Sequence, residues 1–347
     1  MVGATGAVGA VMLGILEQRS FPADDLVPVA SARSAGRRLA FRGESVEVLA
    51  LSDGVFEGAD IALFDVPDAV ARRWAPLAAG KGCTVVDNSA AWRMDPGVPL
   101  VVPEINASEV TKAAKGIIAS ANCTTLTLVV PISVLHSRAR LRRLICASYQ
   151  AASGAGKAGI DELWEQTEMA AKDPDAVREG LARNTLEPGT AFPHPLAFNV
   201  IPQCGSLAGD GYTSEELKLR DETRKILGAP DLAVTATCVR VPVMMGHGVA
   251  VHAEFEEPMT PGEARDLLGR APGVELRDDV GAGVYPTPLE AADRDPCYVG
   301  RIRRDPSDGR ALELFCVADN LRKGAALNTV QIAELLVGPP SASVPSG

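Results

Sequence analysis

The chain opens with Gly3-Ala4-Thr5-Gly6-Ala7-Val8-Gly9, and this turn restricts the folds available more than any other feature. Glycines at that spacing let the backbone approach a pyrophosphate closely. Val8, Val11, Met12, Ile15 and Leu16 then repeat with a helical period from Ala7 to Arg19. A helix N-terminus with free N–H groups therefore stands directly behind the turn, which is an anion site. A glycine-rich turn without a nucleotide is the competing reading of the motif alone. The apolar runs Asp60–Phe64, Thr84–Asp87 and Gly116–Ser120 read as strands alternating with helical patterns, and so predict a parallel, doubly wound α/β sheet. A full central strand normally precedes the first glycine, but here only Met1 and Val2 do. Two expectations follow: a misassigned start, or a domain lacking most of its central strand, with weakened cofactor binding and stability.

Within the turn, Gly3, Thr5, Gly6, Ala7 and Val8 are the candidate cofactor contacts. The second strand should end near Ala30-Ser31-Ala32-Arg33-Ser34. An acidic residue there would hold a ribose 2′-hydroxyl. Ser31, Arg33 and Ser34 instead suit a 2′-phosphate, and predict NADP.

The second half changes character. Leu144–Gln150, Val234–Val243, Val249–Phe255, Val299–Arg304 and Leu312–Ala318 are longer β-rich runs. Helical stretches lie at Lys157–Thr167, Ser214–Leu227 and Pro261–Arg270. This pattern predicts a mixed or antiparallel sheet carrying helices, an α+β domain. A chain of 347 residues suits two domains. A last helix, about Lys323 to Leu336, is expected to return to the first domain, and the Pro- and Ser-rich tail from Gly338 to Gly347 to be disordered.

Composition narrows the function classes. Net charge is −10, which argues against a nucleic-acid partner. No apolar run is long enough to span a membrane, and no basic region leads into an apolar one, so neither membrane nor secretory signal is expected and a cytoplasmic location follows. The 7 cysteines are scattered without a CxxC, which suggests neither a disulfide framework nor a metal site.

Cys123 differs from the others. In Ala119-Ser120-Ala121-Asn122-Cys123-Thr124-Thr125-Leu126 a strand ends, a polar turn follows and a helical run begins. A thiol at a helix N-terminus has its thiolate stabilised there; a buried, inert cysteine is the alternative. His247, in Gly246-His247-Gly248, is one of only 4 histidines and could reach a cleft or simply lie in solvent.

Several longer segments resemble the aspartate-β-semialdehyde dehydrogenase family, in order and from Gly3 to about Leu336. They are Gly3–Gly9, Asp87–Asp95, Val98–Glu104, Tyr149–Lys157, Ala197–Pro202, Cys238–Val243 and Asp319–Ala326. The resemblance implies a Rossmann-type NADP-binding domain (1–122 and 320–338) and a catalytic and dimerisation domain (123–319) of the glyceraldehyde-3-phosphate-dehydrogenase-like type. It implies Cys123 as nucleophile, His247 as general acid/base and Gln150 as the group orienting the acyl adduct. Arg240 would grip the substrate carboxylate, with Glu215 at the amino group. Arg93, Lys218 and Asn122 would hold phosphate, while Ser153, Gly154 and Asn320 would join the cofactor site. A homodimer or homotetramer is also implied. The activity implied is the NADP-dependent interconversion of 4-phospho-L-aspartate and L-aspartate 4-semialdehyde. Rival readings are the N-acetyl-glutamyl-phosphate reductase type and a non-catalytic binding or regulatory relative.

Two departures from the family pattern stand out besides the short N-terminus. The small Ser/Gly-rich turn usual after the strand at Ile61–Phe64 is replaced by the acidic Phe64-Asp65-Val66-Pro67-Asp68. The common Asn-Pro-Asn-Cys becomes Ser120-Ala121-Asn122-Cys123, which removes the constraint of a proline.

Overall fold

The computed structural model describes residues 1–181 and 186–338, and the tail expected to be disordered at 339–347 lies outside them. The chain divides into two compact units, Met1–Ala121 with Ala325–Gly347, and Asn122–Gly324.

The first unit contains α1 (Ala7–Gln18), β1 (Val29–Ala30), the hairpin β2 (Arg38–Phe41) and β3 (Glu44–Glu47), β4 (Leu49–Ala50) and β5 (Ile61–Phe64). There follow α2 (Asp68–Gly80), β6 (Thr84–Asp87), β7 (Leu100–Val101), α3 (Pro103–Asn106) and β8 (Ile117–Ser120). Strands β5, β6, β8 and β7 pair in that order, all parallel, and β1 pairs with β4 in parallel. Of a central strand there is the single residue Val2, which bridges Val29 on one side and Phe64 on the other and joins the two sets. Backbone bonds from Val2 N to Leu63 O (2.8 Å), from Asp65 N to Val2 O (2.9 Å) and from Gly3 N to Val29 O (2.9 Å) hold it there. The glycine turn thus starts at the switch point of a doubly wound sheet, the place where such sheets bind ligands. Met12, Ile15 and Leu16 of α1 pack with Leu63, Val86, Val101 and Ile118 of the sheet and with Val330, Ile332 and Ala333 of the C-terminal helix Leu327–Val337. The period-3.6 stripe read from the sequence is this buried face.

In the second unit α4 (Cys123–Ala139) precedes β9 (Leu141–Gln150), α5 (Gly156–Lys172) and α6 (Pro174–Arg178). Then come α7 (Ser214–Leu227), β10 (Ala233–Arg240), β11 (His247–Phe255), α8 (Pro261–Leu268), β12 (Val274–Leu276), α9 (Pro288–Ala291), β13 (Cys297–Arg304) and β14 (Ala311–Ala318). One mixed sheet runs β10-β9-β11-β14-β13-β12, parallel at its two outer pairs and antiparallel between. Side chains alternate across its strands. Leu144, Val249, Val251, Phe255, Leu312 and Leu314 face the core against Leu128, Ile132 and Leu135 of α4, Leu219 of α7 and Leu268 of α8. Ile145 and Tyr149 point from the opposite face and are exposed.

Helix α7 starts at a capping box. Thr213 N donates to Glu216 Oε2 (2.7 Å), Glu216 N to Thr213 Oγ1 (3.4 Å), and Glu216 Oε1 also accepts from Cys238 N (3.0 Å) on β10. Among the described residues no helix is long and apolar enough to cross a membrane. Thr213→Ala should cost about 1 kcal/mol of stability, the usual value of an N-cap, read as a lower urea midpoint at unchanged m-value; an unshifted midpoint would show that this box does not hold the helix.

Candidate active site

Asn122 is the N-cap of α4. Its backbone is extended (φ −63°, ψ 147°), and Oδ1 accepts from Thr124 N (2.9 Å) and Thr125 N (3.3 Å). Cys123 is therefore the first residue of the helix, where a thiolate gains from the dipole and the first-turn N–H groups. It is half-buried, whereas the other cysteines are buried. Two further bonds leave Asn122: its N–H donates to Glu222 Oε2 (2.7 Å) and its Nδ2 to Glu215 Oε2 (3.0 Å), both on α7. The other oxygen of Glu215 accepts from Lys218 Nζ (2.7 Å). Behind the thiol stands Gly324, where a β-carbon would lie 2.9 Å from Cys123 Cβ and 3.2 Å from its Cα.

Parallel pairing sets Arg240, the last residue of β10, beside Gln150, the last of β9. Gln150 is buried and its Nε2 donates to Ser148 Oγ (3.3 Å). The backbone of the next residue, Ala151, is the pivot of the site. Ala151 O accepts from Arg240 Nη1, and Ala151 N donates to His247 Nδ1 (3.1 Å). The Arg240 guanidinium also lies over the Phe192 ring, 5.7 Å from its centroid.

His247 begins β11 and is wholly buried. Of the two readings of His247, reaching a cleft or lying in solvent, burial excludes the second: antiparallel pairing carries the ladder back to His247, opposite Ala318. Because Nδ1 accepts from an amide, the proton of the neutral ring belongs on Nε2. That atom is buried and has no hydrogen-bond partner among the described residues. Burial, and then the neighbouring Arg240, push the pKa of the ring down to about 3, so it is neutral near pH 7.

A cavity of about 390 Å³ joins these groups, with Cys123, Gln150, Gly154, Cys204, Glu215 and Arg240 in its wall. A β-carbon at Gly154 would come within 2.6 Å of Arg240 Nη1, 3.1 Å of His247 Cε1 and 3.2 Å of Nε2. Gly154 thus keeps the space in front of Arg240 and His247 clear. Cys204 is a second thiol in the wall, but burial raises its pKa to about 12 and it stays neutral. Asn320 Oδ1 accepts from Ser153 Oγ (3.0 Å) and Gly246 N (2.9 Å), while its Nδ2 is buried without a partner among the described residues. It ties the turn before His247 to the turn after Gln150.

The structure brings Asn122, Cys123, Gln150, Glu215 and Arg240 round one cavity, with His247 behind Gly154 and Lys218 attached through Glu215. Arg93 belongs to the first unit. It is buried there and donates from Nε to Ser120 O (2.8 Å) and from Nη2 to Asn88 O (2.7 Å). The Ala151 backbone and Gly324 were missed by sequence reasoning. A backbone amide has no side chain to flag it, and a glycine that only clears space looks like any other.

The first unit fits a dinucleotide. β-Carbons at Gly3 and Gly9 would collide with Asp65 O and Gly3 O respectively, and Gly3 has a φ of +95°. The N-cap of α1 is Gly6, with no side-chain cap to occupy the first-turn N–H groups. Ser31 and Arg33 are exposed at the short helical turn Ala32–Ser34 that follows β1. For a metal, His252, Asp305 and Glu313 place one donor atom each within 4.8 Å of one another. His252 Nδ1 and Glu313 Oε1, 2.6 Å apart, already form a hydrogen-bonded pair, and the group reads as an ion-pair cluster.

Residues 1–113 match the family model described as semialdehyde dehydrogenase, NAD binding domain, and residues 132–323 that described as semialdehyde dehydrogenase, dimerisation domain. The aspartate-semialdehyde dehydrogenase of Corynebacterium glutamicum is 48% identical over 345 residues, covering 97% of this chain and 98% of that protein. The chain belongs to the aspartate-semialdehyde dehydrogenase family. Another member of this family, from Aquifex aeolicus, is 46% identical over 339 residues, covering 97% of each chain. Among solved structures, aspartate semialdehyde dehydrogenase II from Vibrio cholerae complexed with ASA matches with a TM-score of 0.90 at 40% identity, covering 97% of this chain and 96% of that one.

For this family member, Gly324→Ala should displace the thiol and lower kcat by about a hundredfold, as ångström-scale misplacement does, with an unchanged circular dichroism spectrum. A kcat equal to that of the parent would show that the glycine does not set the position of Cys123.

Proposed function

We propose that this chain interconverts 4-phospho-L-aspartate and L-aspartate 4-semialdehyde through a thioester on Cys123, with NADP as hydride carrier. The observation that carries this reading is the single cavity holding a thiol at a capped helix N-terminus, a guanidinium and a carboxylate. Arg240, fixed by Ala151 O, offers its free edge to the substrate α-carboxylate, a pairing suited to a planar fork. Glu215 faces the α-ammonium. Lys218 and Asn122 are the second unit's groups for phosphate.

In the reductive direction the Cys123 thiolate attacks the acyl carbon, the C–O bond to phosphate breaks and a thioester forms. The nicotinamide, when bound, supplies hydride to the thioester carbon. His247 donates from Nε2–H to the oxygen that becomes an alkoxide, and the collapse of that alkoxide returns the thiolate and releases the aldehyde. A neutral ring suffices for this, because the tetrahedral adduct needs a hydrogen-bond donor as its charge develops. Gln150 orients the adduct. Ser31, Arg33 and Ser34 support NADP, since none is a carboxylate that would repel a 2′-phosphate. The exposed Ile145 and Tyr149 on the open face of the sheet support pairing of two copies there.

The N-acetyl-glutamyl-phosphate reductase type is disfavoured by Glu215. Its carboxylate, shared with Lys218 and Asn122, lies in the cavity wall and can accept from a free ammonium, whereas an acetylated nitrogen is neutral and bulkier.

The deciding assay is phosphate-dependent reduction of NADP by aspartate semialdehyde; activity only with the acetylated glutamate analogue would overturn the substrate assignment. Cys123→Ala should abolish turnover while NADP still binds, and residual turnover near the parent rate would exclude the thioester. Arg240→Lys should raise KM about tenfold or more with a smaller change in kcat, because a point charge cannot replace the fork. An unaltered KM would take Arg240 out of the carboxylate site.

A further inference from the structure

The acidic turn after β5 is unexplained by the chemistry above. Asp65 N donates to Val2 O (2.9 Å), which fixes this residue at the switch point beside the glycine turn. Its side chain turns toward that glycine turn: Oδ2 lies 3.7 Å from where a β-carbon on Gly6 would stand, and Gly6 caps α1. Oδ1 accepts from Asn88 Nδ2 (3.0 Å). The remaining ionisable groups nearby are mostly acidic. Asp68 opens α2 and accepts from Ala90 N (2.9 Å), and Asp87 ends β6 and accepts from Ser89 Oγ (2.6 Å). Arg93 acts electrostatically on Asp87. Burial raises the pKa of Asp65, and the Asn88 hydrogen bond is what opposes that rise.

We propose that Asp65 determines dinucleotide affinity in this chain: its carboxylate stands at the helix N-terminus where a cofactor phosphate must lie, and its charge opposes that phosphate. The inference rests on the dinucleotide reading of the first unit. An anion at a helix N-terminus is favoured by the dipole and the free N–H groups. A built-in carboxylate at the same place uses part of that field and adds like-charge repulsion. Cofactor binding is weakened and exchange is made easier, without any effect on the thiol chemistry of the second unit. The family pattern of a small Ser/Gly-rich turn has no such charge.

The test is calorimetric titration of NADP and NADPH into the full-length parent, Asp65→Asn and Asp65→Ser, each checked for an unchanged melting temperature. Asp65→Asn keeps the shape and removes the charge, while Asp65→Ser also frees space, so either variant can report if the other fails to fold. Both should bind about tenfold more tightly than the parent, the size expected for removing one partly screened like charge. The advantage should shrink in high salt. Equal affinities in all three proteins would overturn the role of Asp65 while leaving the dinucleotide reading intact. Weaker binding by the variants would overturn it too, and would show that the carboxylate accepts a hydrogen bond from the cofactor. No binding by any of them would remove the dinucleotide reading itself.

Discussion

The cap made by Asn122 on α4 is the constraint on which the second unit depends. One side chain satisfies two otherwise unpaired N–H groups of the helix and fixes which residue comes first in it. The same residue reaches α7 twice, through its backbone N–H to Glu222 and its amide to Glu215. Position of the thiol, start of the helix and placement of the acidic group are therefore a single arrangement. A proline before Asn122 is not needed, because these bonds set the backbone there.

A second arrangement is organised by the backbone of Ala151. Its two polar groups point to opposite partners, carbonyl to guanidinium and N–H to imidazole. Arg240 and His247 come from different strands, yet both are held by the backbone of one residue, the guanidinium on its C=O and the imidazole on its N–H. The positive charge of Arg240 adds to burial in keeping His247 neutral. Protonating His247 would also set an N–H against the Ala151 N–H. The histidine is consequently a donor by construction.

Much of this was legible in the residues. The helix of α1 and strands β5, β6 and β8 followed from period and alternation, and α7 was read at Ser214–Leu227, its observed bounds. Helix boundaries fixed by a local cap are visible as Thr-x-x-Glu. Strand ends were harder, because they are set by partners distant in sequence. β10 was read on to Val243, but it stops at Arg240, beyond which Val241 N bonds back to Gln150 O and Pro242 lacks a donor. β9 begins at Leu141, three residues before the apolar run suggested, because Arg142 and Arg143 hide its alternation while Leu141 and Leu144 fill the core. The burial of His247 was not legible for the same reason: its pairing with Ala318 spans a sequence distance that no local pattern carries. Cys123 could be singled out because a polar residue before an apolar helix is a local signal.

The two space-clearing glycines have a consequence for how such a cavity can diversify. Gly154 and Gly324 stand against Arg240, His247 and Cys123, so the space beside these three is closed to added volume. The wall formed by Ala191, Phe192 and Pro193 and by Gln203, Cys204 and Gly205 belongs to connecting segments between α6 and α7. Changes there alter the room beyond the guanidinium without moving Cys123. The size of the cavity is thus a property to be altered from the connecting segments, and the helix and strand ends that carry Cys123, Gln150 and Arg240 can be inherited unchanged.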